Sequence, residues 1–142
     1  MTIYQPDIQT AFDARLKANF TTCPIRWENA EEMKDDTAIT DKKSFIRTLL
    51  KITTVENGTV GARNHANPFV KWEGNYVIGV YTEKNIGPGL GQDLIKALSL
   101  IFINKTFGGI VTFVPRPSSG KDDKHGYWMQ NLFIPFKTDN SV

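Results

Sequence analysis

Three glycines in the run Gly87-Pro88-Gly89-Leu90-Gly91 are the residues whose type and spacing point most directly at chemistry. They follow an apolar stretch, Tyr76-Val77-Ile78-Gly79-Val80-Tyr81, and precede a long helical pattern. Strand, glycine turn and helix in that order can aim backbone N–H groups and a helix dipole at a phosphate. The flanking residues argue against that use. A P-loop continues past its last glycine with Lys and Ser or Thr, where this chain has Gln92-Asp93; a dinucleotide loop needs a third glycine where Gln92 stands. Asp93, expected in the first helical turn, repels a phosphate while pairing well with the dipole. The same glycines serve equally as a sharp reversal that starts a packing helix.

Asp122, Asp123 and His125 carry metal-ligating atoms, but on a polar segment with no partners to hold ligands in place they read as a solvated loop. The one cysteine, Cys23, lies beside Pro24 and reads as a small packing residue, and no serine or cysteine occupies a nucleophile elbow. His65 has no identifiable partner. One cysteine and two distant histidines give neither an internal disulfide nor zinc spacing, so no metal or other cofactor is expected and a reducing, intracellular setting is. Seventeen basic and fifteen acidic residues, interspersed for a formal charge of +2, give no nucleic-acid footprint by composition. No signal peptide or membrane span is visible.

Any site must be positioned by the following elements. Ile8, Phe12 and Leu16, four apart behind Pro6, predict a first helix over 6–20 closed by Pro24. A short extended piece, 24–29, leads into a charged loop. Phe45–Val55, rich in β-branched residues, predicts a strand, and Phe69–Thr82 a second, with Val70, Trp72, Tyr76, Ile78 and Val80 on one face and a bulge at Gly74. A second helix is predicted over Leu90–Phe107, with Leu90, Leu94, Ala97, Leu98, Ile101 and Phe102 in one arc and Gly108-Gly109 ending it. Leu100 and Ile103 fall outside that arc and need another cover, either the first helix or another chain. Ile110–Val114 and Tyr127–Lys137 complete the strands, with Pro135 marking an edge position or a strand end.

Helix, two strands, helix, two strands predicts an α+β fold: one domain over 1-142, a largely antiparallel mixed sheet of about four to five strands, and both helices on one face. Polar loops are expected near 30-43, 57-68 and 115-126.

Two resemblances bear on function. Gly89 and Gly91, with Leu94 and Leu98 downstream, resemble the acetyl-CoA loop of the N-acetyltransferase superfamily over about a dozen residues, although Ile86 stands where that family has Arg or Gln. This implies, as the alternative function, a small acetyl-CoA-dependent N-acetyltransferase using the Gly87-Gly91 turn. End to end, the chain resembles the tail terminator family of long-tailed bacteriophages. Carrying that resemblance are Ala11-Phe12-Asp13-Ala14-Arg15-Leu16, Ile25-Arg26-Trp27-Glu28-Asn29, Gly79-Val80-Tyr81, the glycine turn with its helix, and Leu132-Phe133-Ile134-Pro135-Phe136.

The second resemblance implies a non-enzymatic virion protein that forms a hexameric ring, caps the tail tube, ends its polymerisation and offers the head-joining surface. Its implied partners are further copies of the chain, tail tube protein and a head-completion or connector protein, with DNA passing through the lumen without sequence-specific binding. The implied location is the virion neck, after assembly in the host bacterial cytoplasm. Leu100 and Ile103 become candidate subunit contacts. Arg63, Asn64, His65, Arg116, Lys121, Asp122, Asp123, Lys124 and His125 become candidate contacts to partner rings. A nucleic-acid-binding module is a third class, which the near-neutral charge disfavours.

Overall fold

Ile8, Phe12 and Leu16 are wholly buried, as a four-residue apolar stripe on a surface helix requires. Their helix, α1 (Gln5–Asn19), starts with Pro6 in its first turn and with the Asp7 carboxylate accepting the Tyr4 N–H at 2.9 Å. In the computed structural model, which describes residues 4–28, 43–57, 70–84, 87–122 and 126–138, α1 is followed by β1 (Ile25–Arg26), β2 (Phe45–Asn57) and β3 (Val70–Glu83). Then come α2 (Gly89–Phe102), β4 (Thr106–Phe107), β5 (Ile110–Thr112), β6 (Arg116–Pro117), β7 (Lys121–Asp122) and β8 (Tyr127–Thr138).

The fold is α+β: the described residues form two helices against one curled, mixed sheet in the order β1-β2-β3-β8-β5-β4. Among the described residues β1 with β2 is the one parallel pair, and the remaining pairs run antiparallel. The sheet is larger than the four to five strands expected: six strands form the main path, and β6 and β7 also pair with β8. These last two lie inside the segment expected to be a plain polar loop at 115–126. Arg116 pairs with Phe133 and Lys121 with Met129, so backbone pairing orders a stretch whose side chains are mostly polar.

The second helix ends at Phe102, five residues short of expectation. Ile103 turns extended, and Asn104 takes a positive φ of 47°, a conformation asparagine tolerates better than most residues. Gly108 and Gly109, both at positive φ, are therefore not the helix stop. They form the two-residue turn joining β4 to β5, where positive φ at both positions matches the twist of a tight hairpin. The buried stripe of α2 is Gly91, Leu94, Ile95, Leu98 and Phe102; it is turned toward Ile95 and leaves Leu90 and Ala97 exposed.

Pro135 is neither on an edge nor at a strand end. It lies in β8, between β3 and β5, opposite Asn75. Its carbonyl accepts the Phe113 N–H at 3.0 Å. In a strand a residue's nitrogen and carbonyl face the same neighbour, so the missing donor points into the gap between β5 and β6, where no ladder bond is lost. The expected bulge is present at Gly74. Ile52 pairs with Gly74 and Thr54 with Glu73, leaving Thr53 extra, and a Cβ on Gly74 would collide with the Lys51 carbonyl.

The core fills the space between the helices and one face of the sheet: Ile46, Leu50, Tyr76, Ile78, Val80, Leu132, Ile134 and Phe136 meet the two helical stripes. Phe12 is its hub, stacked on Tyr76 with centroids 4.5 Å apart and touching the rings of Phe102, Phe107 and Phe136. A second cluster of Phe45, Tyr127 and Tyr81 sits on the opposite sheet face.

Candidate functional site

At the glycine turn only Gly87, at φ 82°, needs to be glycine. A side chain on Gly89 would meet open space, and one on Gly91 would reach Thr82 at an ordinary 3.8 Å. Helix α2 opens behind Pro88 without a side-chain cap, and Gln92 N–H donates to the Pro88 carbonyl at 3.0 Å. Since the helix starts at Gly89, Asp93 lies beyond the first turn, which contains no acidic residue. A cleft of about 650 Å³ beside the turn is lined by Glu83, Lys84, Gly87, Pro88, Asp122 and Trp128. Two carboxylates against one ammonium make it a poor receptor for a polyphosphate, and a glycine turn of this kind is a reversal before a packing helix.

Asp122 lies in β7, while Asp123, Lys124 and His125, like Arg63, Asn64 and His65, lie outside the described residues. Among the described residues no group of three or more His, Cys, Asp or Glu could hold a metal. Cys23 packs against the main core, and burial pushes its thiol up to about 11, which suppresses the reactive thiolate.

Polar contacts that sequence motifs do not mark tie the layers together. The Tyr76 hydroxyl donates to Asp13 Oδ1 at 2.6 Å from beneath α1, and Gln9 Nε2 donates to the same carboxylate at 3.0 Å. Burial, then the Asp13 hydrogen bond and charge, hold the Tyr76 phenol far above its usual range. Glu28 accepts the Leu50 N–H at 2.9 Å and donates its own N–H to Thr48 at 3.1 Å, fastening the β1 end to β2. Arg15 Nε donates to the Ile101 carbonyl at 2.9 Å, satisfying an orphan acceptor at the α2 C-terminus, and its guanidinium lies 5.1 Å from the Phe107 ring centre. These acids and bases are engaged in holding elements together, and the one visible precedent in the sequence is the spacing of Gln9 and Asp13, four apart on a helix.

Exposed apolar side chains gather at two edges. Leu100 is 62% exposed on the outer side of α2, so α1 does not cover it, and Ile103 is half-buried at the helix end. Asn104 N–H donates to the Phe113 carbonyl at 3.4 Å, which brings exposed Phe113 and Val114 to the same edge of the sheet. At the opposite edge β1 pairs only with Ile46 and Arg47, so most of β2 has an open side among the described residues, with Leu49 48% and Val55 51% exposed.

No protein-family model and no curated protein matches the chain. Among solved structures, one chain that carries only a sequence identifier for a name has the same fold. It is 15% identical, with a TM-score of 0.68 over 99% of this chain and 99% of its own. That likeness covers both helices and the whole sheet and speaks for the architecture alone.

Proposed function

We propose that this chain is a ring-forming tail terminator of a long-tailed bacteriophage, which caps the tail tube, stops its polymerisation and presents the surface that the head joins. The observation that carries this reading is exposed apolar side chains at both ends of the fold, Phe113 and Val114 after β5 with Leu100 on the outer side of α2, and Leu49 and Val55 on the two faces of β2 at the other end. A closed ring needs two different patches on each subunit that complement one another around an axis, whereas a two-fold dimer needs one patch that complements itself. Among the described residues β2 beyond Leu50 has no strand paired on its β1 side, and an open strand edge is the feature by which strands recruit a neighbouring chain. The order of motifs along the chain supports the same family.

In this reading six copies close through those edges, tail tube protein binds one rim and a connector or head-completion protein the other. DNA passes through the lumen, and no reaction is catalysed. The ring is built in the bacterial cytoplasm and stays in the virion neck. The test is the mass of the chain, measured by light scattering alone and on assembled tail tubes. Six copies per tube end are expected. Leu100→Glu, an exposed substitution costing about 0.5 kcal/mol or less in stability, abolishes closure on the tube. Recovery of the chain as a monomer from completed particles sinks the reading.

A further inference from the structure

We propose that the sheet face turned away from the helices is a docking surface for one amphipathic α-helix of a partner protein, laid along the strands with its apolar stripe on the sheet and carboxylates on both flanks. The sheet register builds two cationic rails on that face. Arg47 and Lys51 of β2 form one; Arg116 of β6 and Lys121 of β7, paired with Phe133 and Met129 of β8, form the other, and all four are exposed. Between the rails, β3 and β8 present no charge on this face. Val77 and Tyr81 of β3 and Met129, Phe133 and Pro135 of β8 are buried or half-buried there. A Cβ on Gly79 would stand 3.0 Å from the Tyr81 ring, so that ring leans across the glycine and the floor stays low at its centre. Carboxylates join the face only beyond the rails, where Glu56 and Glu73 stand among Lys71 and Lys137, and where Glu83 shares the row of Tyr127.

The dimensions fit one helix. The strand order β2-β3-β8-β6 sets the rails three strand spacings apart, about 14 Å, which admits a helix of about 10–12 Å diameter. Along the strands the four cations fall in successive rows that span about 20 Å, the length of a helix of about fourteen residues. Cations on both sides call for acidic flanks, because complementary charge fixes register and like charge rejects the wrong partner. The Arg47 guanidinium lies 5.9 Å from the Tyr81 ring centre, which holds one rail against the floor. A second sheet laid over this face would bury the cations under its outer strands, where each would need a carboxylate within the layer; a helix leaves them at a wet rim. The apolar floor favours an amphipathic helix over a plain polyanion, which has nothing to bury there. A monomer presents the same face, so this inference stands apart from ring closure, and helix binding and copy number are separate readouts.

The test is fluorescence anisotropy of a labelled, designed peptide of about eighteen residues, with leucines along one helical stripe and glutamates on both flanks, titrated into the full-length protein. Saturable binding with a gain of helical circular dichroism is expected. Arg47→Glu with Lys51→Glu, and separately Arg116→Glu with Lys121→Glu, should each weaken it about tenfold or more, since both rails hold the same helix. Arg47→Gln with Lys51→Gln should act in the same direction, about threefold, and serves if a reversal pair fails to fold. A peptide of the same charge with serines in place of the leucines should bind at least about tenfold more weakly. Lys17→Glu with Lys96→Glu makes the same change of net charge on the helices and should alter affinity less than about twofold. The proposal is overturned if the leucine peptide does not saturate, if the serine peptide binds as well, if only one rail matters, or if the helix pair loses as much as the rail pairs.

Discussion

The two faces of the sheet are built from the same strands and do opposite things. On the covered face Leu50, Tyr76, Ile78, Val80, Leu132 and Ile134 are each less than a tenth exposed and meet both helices. On the other face buried Phe45, Val77 and Tyr127 are interspersed with exposed Arg47, Leu49 and Lys51. Period-two alternation sends a residue to one face or the other; the covered face is fixed along its length by packing on both helices, the other mainly at the cluster of Phe45, Tyr81 and Tyr127. The exposed positions of the open face are free to vary in charge at little cost to the fold.

Truncating a core ring separates the two faces most strongly. Phe12 is fully buried and contacts four other aromatic rings, so Phe12→Ala should destabilise the protein by about 3–5 kcal/mol through lost burial and the cavity left behind. Leu49→Ser on the open face, where the side chain is 48% exposed, should cost about 1 kcal/mol or less. Urea unfolding measures both. Comparable losses from the two changes would mean that the open face is covered in solution, as it would be inside an assembly.

The same contrast explains what could be read from the sequence. Elements with a packed face were legible: α1 from Ile8, Phe12 and Leu16, β3 from its alternation, β8 from Leu132, Ile134 and Phe136, and most of α2. The short strands β4, β6 and β7 were not, because two residues show no period and their pairing partners in β5 and β8 are specified only by the finished sheet. Pro135 misled because a proline is tolerated wherever its nitrogen meets a gap, and the gap between β5 and β6 is a property of the neighbouring chain segment. Of the surface residues singled out, Leu100 is exposed, and Arg116 and Lys121 do share one face, while Asp122, the neighbour of Lys121, falls on the other.

A smaller effect tests the polar tie beneath α1. Tyr76→Phe removes the hydroxyl that donates to Asp13 and should cost about 1–3 kcal/mol at neutral pH, the range for a hydrogen bond to a charged acceptor. Its pH dependence has a definite sign. The folded phenol is held above its usual value, so its contribution is fully present below about pH 10, the ordinary tyrosine value, and declines above it as the unfolded chain gains the freedom to ionise. Wild type should therefore lose stability relative to Tyr76→Phe above about pH 10, by up to roughly 1.4 kcal/mol per pH unit. A constant difference between the two proteins from pH 7 to 11 would show that Tyr76 ionises in the fold as it does in water.

The smallest perturbation reports on the covered face without altering it. Cys23 packs at the margin of the main core, and burial raises its thiol to about 11. At pH 8 the thiolate fraction should then be about 0.1%, against roughly a tenth or more for a free cysteine, so alkylation by iodoacetamide should run about a hundredfold slower than in the denatured chain. The native rate should climb about tenfold per pH unit to near pH 10, because thiolate is the reacting species and its population tracks pH below the pKa. A plateau near pH 8 to 9 would place Cys23 in water and remove it from the core margin. A slow rate that rises in Phe12→Ala but not in Leu49→Ser would show that α1 lifts from the sheet as a unit, making the covered face the cooperative part of the molecule and the open face a surface carried on it.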